Sequence, residues 1–204
     1  MPSRFVHLNV ASCYSSHYGT NWPAELVAAA VEDGADAVAI TDRDGLYGVA
    51  RHVEACLSHG ISPIIGVNLE ITGRGRAVIL ASGGAAGYAA LCRVISEAHT
   101  VSPPQLSLEM LRHHVRPQGG DAPYLYVLVG PESDLGEAAA QRDFNGSRSL
   151  LKQWRQAWGQ RCGSSWCLIW PRRVRSSRSH MLCVCSAQHE PVVSQWCSLT
   201  RCAR

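Results

Sequence analysis

Apolar residues recur along this chain either in short continuous runs, typical of buried strands, or every three to four residues, typical of helices. The run Ala37–Ile40 is apolar throughout, which predicts a strand covered on both faces. Asn21 and Pro23 predict a helix start, and Gly34 predicts where that helix ends. Gly60 likewise predicts the end of the next helix. The predicted strands are residues 5–10, 37–40, 63–71, 77–81 and 124–129, and the predicted helices are residues 26–33, 46–57, 87–99, 106–114 and 150–158.

The order of these elements indicates the fold class. Strands alternate with helices and are joined by short turns marked by glycine, which predicts parallel strands, right-handed crossovers and an α/β sheet or barrel. Gly73 and Gly75 predict a turn between two strands, so we do not expect residues 73–76 to bind phosphate. The sequence contains neither a Gly-x-Ser-x-Gly elbow nor a Gly-x-x-x-x-Gly-Lys-[Ser/Thr] loop.

Composition divides the chain near residue 161. Residues 1–161 carry 13 Lys and Arg against 15 Asp and Glu, whereas residues 162–204 carry six Arg, no Lys and one acid, Glu190. Six of the nine cysteines and three of the six tryptophans also fall in residues 162–204. We therefore expect one domain over residues 1–161 and a tail of different character over residues 162–204.

Composition also indicates the compartment. No run approaches the ~18 apolar residues of a membrane helix, and Met1–Arg4 leads into a strand-like segment instead of the apolar core of a signal peptide. We therefore expect a cytoplasmic protein. Its cysteines are then expected to be thiols or metal ligands, because the cytosol keeps thiols reduced.

Three segments carry the candidate chemistry. They read His7-Leu8-Asn9, Thr41-Asp42-Arg43-Asp44-Gly45-Leu46-Tyr47-Gly48, and Pro63-Ile64-Ile65-Gly66-Val67-Asn68. Over roughly residues 4–161, their order and spacing resemble the polymerase-and-histidinol-phosphatase (PHP) domain at the N-terminus of bacterial DNA polymerase III alpha subunits, specifically the error-prone type. The resemblance implies an irregular, TIM-like β/α barrel, expected to be incomplete here. It also implies a site at the carboxyl ends of the strands, where α/β barrels build their sites.

The resemblance implies a metal site, and this chain departs from it. The metal-binding form of the family reads His-x-His, Thr-Asp-His and Gly-x-Glu in these segments, where this chain has Asn9, Arg43 and Asn68. Asn is a weak metal ligand, and Arg places a permanent positive charge where a cation would sit. We therefore assign no catalytic residue and expect no metal; Mn²⁺, Zn²⁺ or Mg²⁺ would bind if activity is retained. The vestigial site comprises His7, Asn9, Asp42, Arg43, Asp44 and Asn68.

Further residues near these segments could contribute to the site. Glu70 lies on the same strand face as Asn68, but about 6–7 Å further along, which is too far for the same coordination sphere. Arg43 is hypothesised to replace the cation by pairing with Asp42 or Asp44. His52 and His59 are expected to be solvated, whereas His17 follows the first strand and is expected near the site.

The tail over residues 162–204 allows three interpretations. It contains Cys162, Cys167, Cys183, Cys185, Cys197 and Cys202. No Cys-x-x-Cys pair occurs, so the zinc signal is weak. Its bias towards Arg, Ser, Cys and Trp favours an out-of-frame reading over a genuine disordered tail. The third possibility is a zinc- or nucleic-acid-binding module, in which Arg would contact phosphates and Trp would stack on bases.

These expectations combine into one functional hypothesis. The chain is predicted to be a fragment of a DNA polymerase III alpha subunit for replication or error-prone repair, with a degenerate PHP domain that serves as a metal-free scaffold. The resemblance implies a nucleotidyltransferase family whose polymerase core is not in this chain, so activity of the chain alone is not expected. Its implied partners are the remainder of the polymerase subunit, other replication or repair proteins and, indirectly, DNA. The alternatives are a metal-dependent phosphoesterase of the PHP family and a zinc- or nucleic-acid-binding module in the tail.

Overall fold

The computed structural model describes residues 6–115 and 124–157. The helices and strands within these ranges are, in chain order, α1 (Pro23–Glu32), β1 (Ala37–Ile40), α2 (Val49–His59), β2 (Ser62–Ile71), β3 (Gly75–Ala81), α3 (Ala85–Ala98), β4 (Gln105–Leu106), α4 (Leu108–Val115), β5 (Leu125–Ser133), α5 (Asp134–Ala140) and α6 (Phe144–Ala157). The described residues divide after Gly66 into two compact units, called the first and the second unit below.

The first unit is built on parallel pairing, as predicted. Strand β1 pairs in parallel with the start of β2, from Ala37 opposite Ser62 to Ile40 opposite Ile65. In the described residues, the preceding segment, predicted as a strand, forms only a bridge between His7 and Val38, and its carbonyls accept the backbone N–H groups of Ala39 and Thr41. Helices α1 and α2 pack on this sheet in a cluster of buried residues from the helices, β1 and the loop before β1, namely Val27, Ala30, Ala35, Val38, Ala55 and Cys56.

The second unit corrects the prediction that all strands are parallel. Strand β3 pairs with β5 in antiparallel fashion, with Val78 opposite Leu128 and Leu80 opposite Tyr126. The predicted turn around Gly73 reverses the chain, because three residues between β2 and β3 leave no room for a crossover helix, and β3 is therefore the strand that runs against its neighbours. The short β4 pairs in parallel with the end of β2.

The helix boundaries differ from prediction where side chains have other partners. The N-cap of α1 is Trp22 instead of Asn21. The Asn21 side chain accepts a bond from Thr20, and its carbonyl accepts one from the Cys13 N–H. Helix α2 ends, as predicted, at Gly60, whose φ of 70° lies in the left-handed region.

Two elements of the second unit were not predicted, β4 and α5. Helix α5 begins where Ser133 accepts a hydrogen bond from Gly136 N–H, a capping pattern that is visible only once β5 is known to end there. Helix α6 starts earlier than predicted and is held by Trp154, whose Nε1–H donates to Asp134 Oδ1 at 2.9 Å. Arg74 donates to Oδ2 of the same carboxylate at 3.0 Å.

Candidate functional site around Asp42

Asp42 is the centre of a buried polar cluster in the first unit. It is the second residue after the end of β1, and it is 1% exposed. Oδ1 accepts hydrogen bonds from the Ser12 N–H at 2.7 Å and from the Ser15 hydroxyl at 2.8 Å. The Ser12 hydroxyl lies 2.9 Å from both carboxylate oxygens and donates its one proton between them. Three donors within the protein therefore balance this buried carboxylate.

The loop after the first segment brings both serines to Asp42. The Ser15 N–H donates to the Ser12 carbonyl at 2.9 Å, which closes a tight turn and places both hydroxyls on one side. A Cβ at Gly19 would lie 2.0 Å from the Ser12 carbonyl oxygen, and one at Gly48 would lie 2.7 Å from Asp42 Oδ2. The cluster therefore requires glycine at both positions.

Asn9 and Thr41 form a second polar link beside this cluster. The Thr41 hydroxyl accepts from the Val10 N–H at 2.8 Å and lies 3.0 Å from Asn9 Oδ1, to which it can donate. Asn9 is exposed, whereas His7 is half-buried in the same segment. The amide at position 9 therefore contributes to the pairing of the first segment with the end of β1.

Arg43 directs its charge onto an aromatic ring. Its guanidinium carbon lies 3.1 Å from the centroid of the Tyr18 ring, and its backbone N–H donates to the Ser15 hydroxyl at 2.9 Å. Asp44 follows with a φ of 58°, in the left-handed region. His17, predicted near the site, is exposed in the loop that carries Ser15 and Tyr18.

Asn68 lies in the second unit, where Arg76 of β3 holds it. The Arg76 Nε–H donates to Asn68 Oδ1 at 2.8 Å, and an Nη2–H donates to the Asn68 carbonyl at 2.6 Å. The same guanidinium lies 3.9 Å from Glu70 Oε2. Both acidic and amide side chains meet one arginine, which confirms that residues 68 and 70 share a strand face.

His52 was predicted to be solvated, and the structure corrects this. The α2 helix buries it against β1, where Nε2 lies 3.1 Å from the Val38 carbonyl and 3.6 Å from the Cys56 thiol. Burial lowers the pKa of His52 from its ordinary value, against smaller opposing effects of the Val38 carbonyl and the Asp42 charge. Burial likewise raises the pKa of the Cys56 thiol to about 11.

The serines were missed from the sequence, although a weak signal existed. Ser12 and Ser15 stand at Ser-x-x-Ser spacing just after the first segment, but hydroxyls are frequent in loops and indicate no partner by themselves. Arg76 was placed only in a turn region. No local pattern indicated that it would reach Asn68 on the neighbouring strand.

Across residues 6–115 and 124–157, no group of three or more His, Cys, Asp or Glu side chains could hold a metal ion. The tail cysteines, and the interpretations that depend on them, lie outside the described residues. No helix in the described ranges has both the length and the apolar character needed to cross a membrane.

Comparison with known proteins identifies relatives of this chain. The family model of the PHP domain matches residues 7–163. The error-prone DNA polymerase of Anaeromyxobacter dehalogenans strain 2CP-C is 32% identical over 158 residues, which cover 72% of this chain and 14% of that protein. The error-prone DNA polymerase of Corynebacterium diphtheriae is 36% identical over 107 residues, 49% of this chain and 10% of that protein. The matched region thus spans only 10–14% of the length of these polymerases.

A solved structure supports the fold. An amidohydrolase from Chromobacterium violaceum, solved with bound sulfate and no metal, matches with a TM-score of 0.51 at 14% identity, over 81% of this chain and 75% of that one. The predicted α/β class, with the TIM-like barrel fold of PHP domains, is confirmed. Since the family model covers more than half of the sequence, this chain belongs to the PHP domain family.

Proposed function

We propose that this chain is the PHP domain of an error-prone DNA polymerase, a bacterial DNA polymerase III alpha subunit. The identity to such polymerases over 158 residues supports this assignment. The rest of a polymerase subunit is then the context in which the domain works, together with other replication or repair proteins in the cytoplasm. Contact with DNA would be indirect, through the polymerase.

We further propose that the domain is a metal-free scaffold. Metal-assisted phosphoester hydrolysis needs imidazole and carboxylate ligands with free lone pairs in a fixed geometry. The residues present do not fit that requirement. Three donors from Ser12 and Ser15 already engage the Asp42 carboxylate, and a guanidinium engages the Asn68 amide oxygen.

The observation that carries this proposal is the hydrogen bonding of Asp42. A carboxylate that binds a cation normally directs lone pairs at it, whereas Oδ1 of Asp42 receives an N–H and a hydroxyl at 2.7–2.8 Å. These donors supply the partial positive charge that a cation would supply in an active relative. The cluster thereby keeps a charged residue buried without a metal.

Metal analysis of the purified full chain tests the scaffold. The protein is incubated with Mn²⁺, which prefers oxygen and imidazole over thiolate ligands and so discriminates against the cysteines. Bound metal is then measured for the wild type and for Asp42→Asn. We expect the amount of bound Mn²⁺ to be the same in the wild type and in Asp42→Asn. Retention of about one Mn²⁺ per chain, lost in Asp42→Asn, together with hydrolysis of a phosphomonoester, would establish the phosphoesterase alternative.

The role of Arg43 is tested in the same assay. If its charge replaces a cation, Arg43→His should restore part of the Mn²⁺ binding. If Arg43→Ala folds with unchanged stability and still binds no metal, the replacement hypothesis fails while the scaffold proposal stands.

Resequencing of the gene tests the assignment to a polymerase subunit. The DNA across codons 155–210 is resequenced and all three frames are read onward. We expect one frame to continue into a polymerase core with paired aspartates. If no frame continues, the assignment to a polymerase subunit is wrong, and metal and DNA binding by the tail become the functions to measure.

A further inference from the structure

Helix α6 of the second unit carries an aromatic ring and three cations on one side. Phe144, Arg148, Lys152 and Arg155 follow one another at spacings of four, four and three residues, which places them within about 80° of one another around the helix. All four are exposed, and Phe144 is 71% exposed, whereas Trp154 of the same helix is buried. We call Phe144, Arg148, Lys152 and Arg155 the outer face of α6.

The charge of α6 has one sign. The helix contains no acidic residue between Phe144 and Ala157. Asp143 directly precedes it, and its Oδ1 accepts the Gly146 N–H at 2.9 Å, so this carboxylate lies at the start of the helix. Residues 142–157 carry four Lys and Arg against that one carboxylate, a net charge of +3.

The carboxylates of the helix that packs against α6 have partners of their own. On α5, Asp134 pairs with the Arg74 guanidinium at 3.0 Å. Glu137 of the same helix accepts from the Gln141 side chain at 3.4 Å. The cations of the outer face of α6 therefore keep their attraction for an anionic partner.

An exposed ring among cations indicates which kind of anion fits. Proteins that bind single-stranded nucleic acids place Lys and Arg on the phosphates and stack aromatic rings on the bases. An acidic protein segment would engage the cations and leave the Phe144 ring in water. We propose that the outer face of α6 binds a single-stranded nucleic acid, with its cations on the phosphates and Phe144 stacked on a base. This direct contact is additional to the indirect one through a polymerase and does not depend on that assignment.

Fluorescence anisotropy with the full chain tests this proposal. The probes are a fluorescein-labelled oligo-thymidine strand and an abasic strand of the same length. Phe144→Ala removes the ring and leaves every charge in place, and Phe144→Trp keeps a ring that can stack. All variants contain residues 162–204, so the arginines of the tail contribute equally to each measurement.

A pair of charge variants isolates the cations of this face. Arg148→Gln with Lys152→Gln removes two of them, and Arg51→Gln with Arg93→Gln removes two exposed arginines outside α6 as the matched control. Circular dichroism and thermal unfolding establish that each variant is folded.

We expect Phe144→Ala to weaken oligo-thymidine binding about five-fold or more, the factor that corresponds to stacking on one base. Binding of the abasic strand should not change, and Phe144→Trp should bind oligo-thymidine as the wild type does. Loss of the two cations of α6 should lower the slope of log affinity against log salt by about 1.4, while the control pair leaves the slope unchanged.

Three results would overturn the proposal. They are absence of oligo-thymidine binding by the wild type, equal affinity of the wild type and Phe144→Ala, and equal salt slopes of the two charge variants. If a charge variant is unfolded, the comparison of Phe144→Ala with Phe144→Trp on the two strands still decides.

Discussion

The hydroxyl of Ser15 donates a hydrogen bond of 2.8 Å to the buried carboxylate of Asp42. The same oxygen accepts the Arg43 N–H at 2.9 Å, so one side chain satisfies two groups at the end of β1. Replacing Ser15 by Ala should lower the free energy of unfolding by about 1–3 kcal/mol, because a charged acceptor loses a donor in a dry site. Urea unfolding of the variant and the wild type measures the difference.

The control for Ser15 is its neighbour. Ser16 is exposed, so Ser16→Ala should stay within about 0.5 kcal/mol of the wild type. Equal stability of Ser15→Ala and Ser16→Ala would show that Asp42 does not depend on the Ser15 hydroxyl.

Arg76 should be irreplaceable by lysine. Its fork binds both the side-chain and the backbone oxygen of Asn68, a geometry that a single ammonium group does not reproduce. Both Arg76→Lys and Arg76→Ala should therefore cost about 1–3 kcal/mol of unfolding free energy. Denaturant unfolding checks this against Arg93→Lys, a change at an exposed arginine. Full stability of Arg76→Lys would mean that the fork contributes only its charge.

Acid should destabilise the protein through His52. Its pKa in the folded state is lowered from the ordinary 6.5, chiefly by burial. The unfolded chain therefore takes up the proton first as pH falls, and stability is lost below pH about 6.5, down to the lowered folded pKa. The stability difference between the wild type and His52→Gln should depend on pH in that window. Exposed His17→Gln is the control, and a parallel pH dependence of all three proteins would contradict the prediction.

Helix α6 should depend on Trp154. This side chain is 1% exposed and its Nε1–H donates to Asp134 Oδ1, so Trp154→Ala leaves a cavity and removes one of the two donors to that oxygen, the other being the Leu135 N–H. The expected loss is about 3–5 kcal/mol. Thermal unfolding should separate it from Phe144→Ala, which removes an exposed ring of the same helix and should cost about 0.5 kcal/mol or less. Similar losses of stability in the two variants would show that α6 does not depend on the buried Trp154 side chain.

The periodicity of the sequence was sufficient to predict most of the elements. The apolar run Ala37–Ile40, the ending of α2 at Gly60 and the turn around Gly73 were all confirmed, because each depends on residues near one another in the chain. The three motif segments likewise led to the PHP family. Local propensity could not reveal β4, whose two residues are a strand only because β2 lies beside them.

The tertiary structure decided which residues far apart in the sequence contact one another. Asp42 finds its donors 27 and 30 residues away, and Arg76 reaches Asn68 from the next strand. His52 looked like a surface residue of a helix, yet that face of α2 is packed on β1. The sequence by itself determined which groups could carry charge and which segments could pair. Only the folded chain decided which of those groups lost contact with water and which side chains took the place of that water, since desolvation depends on contacts between distant residues.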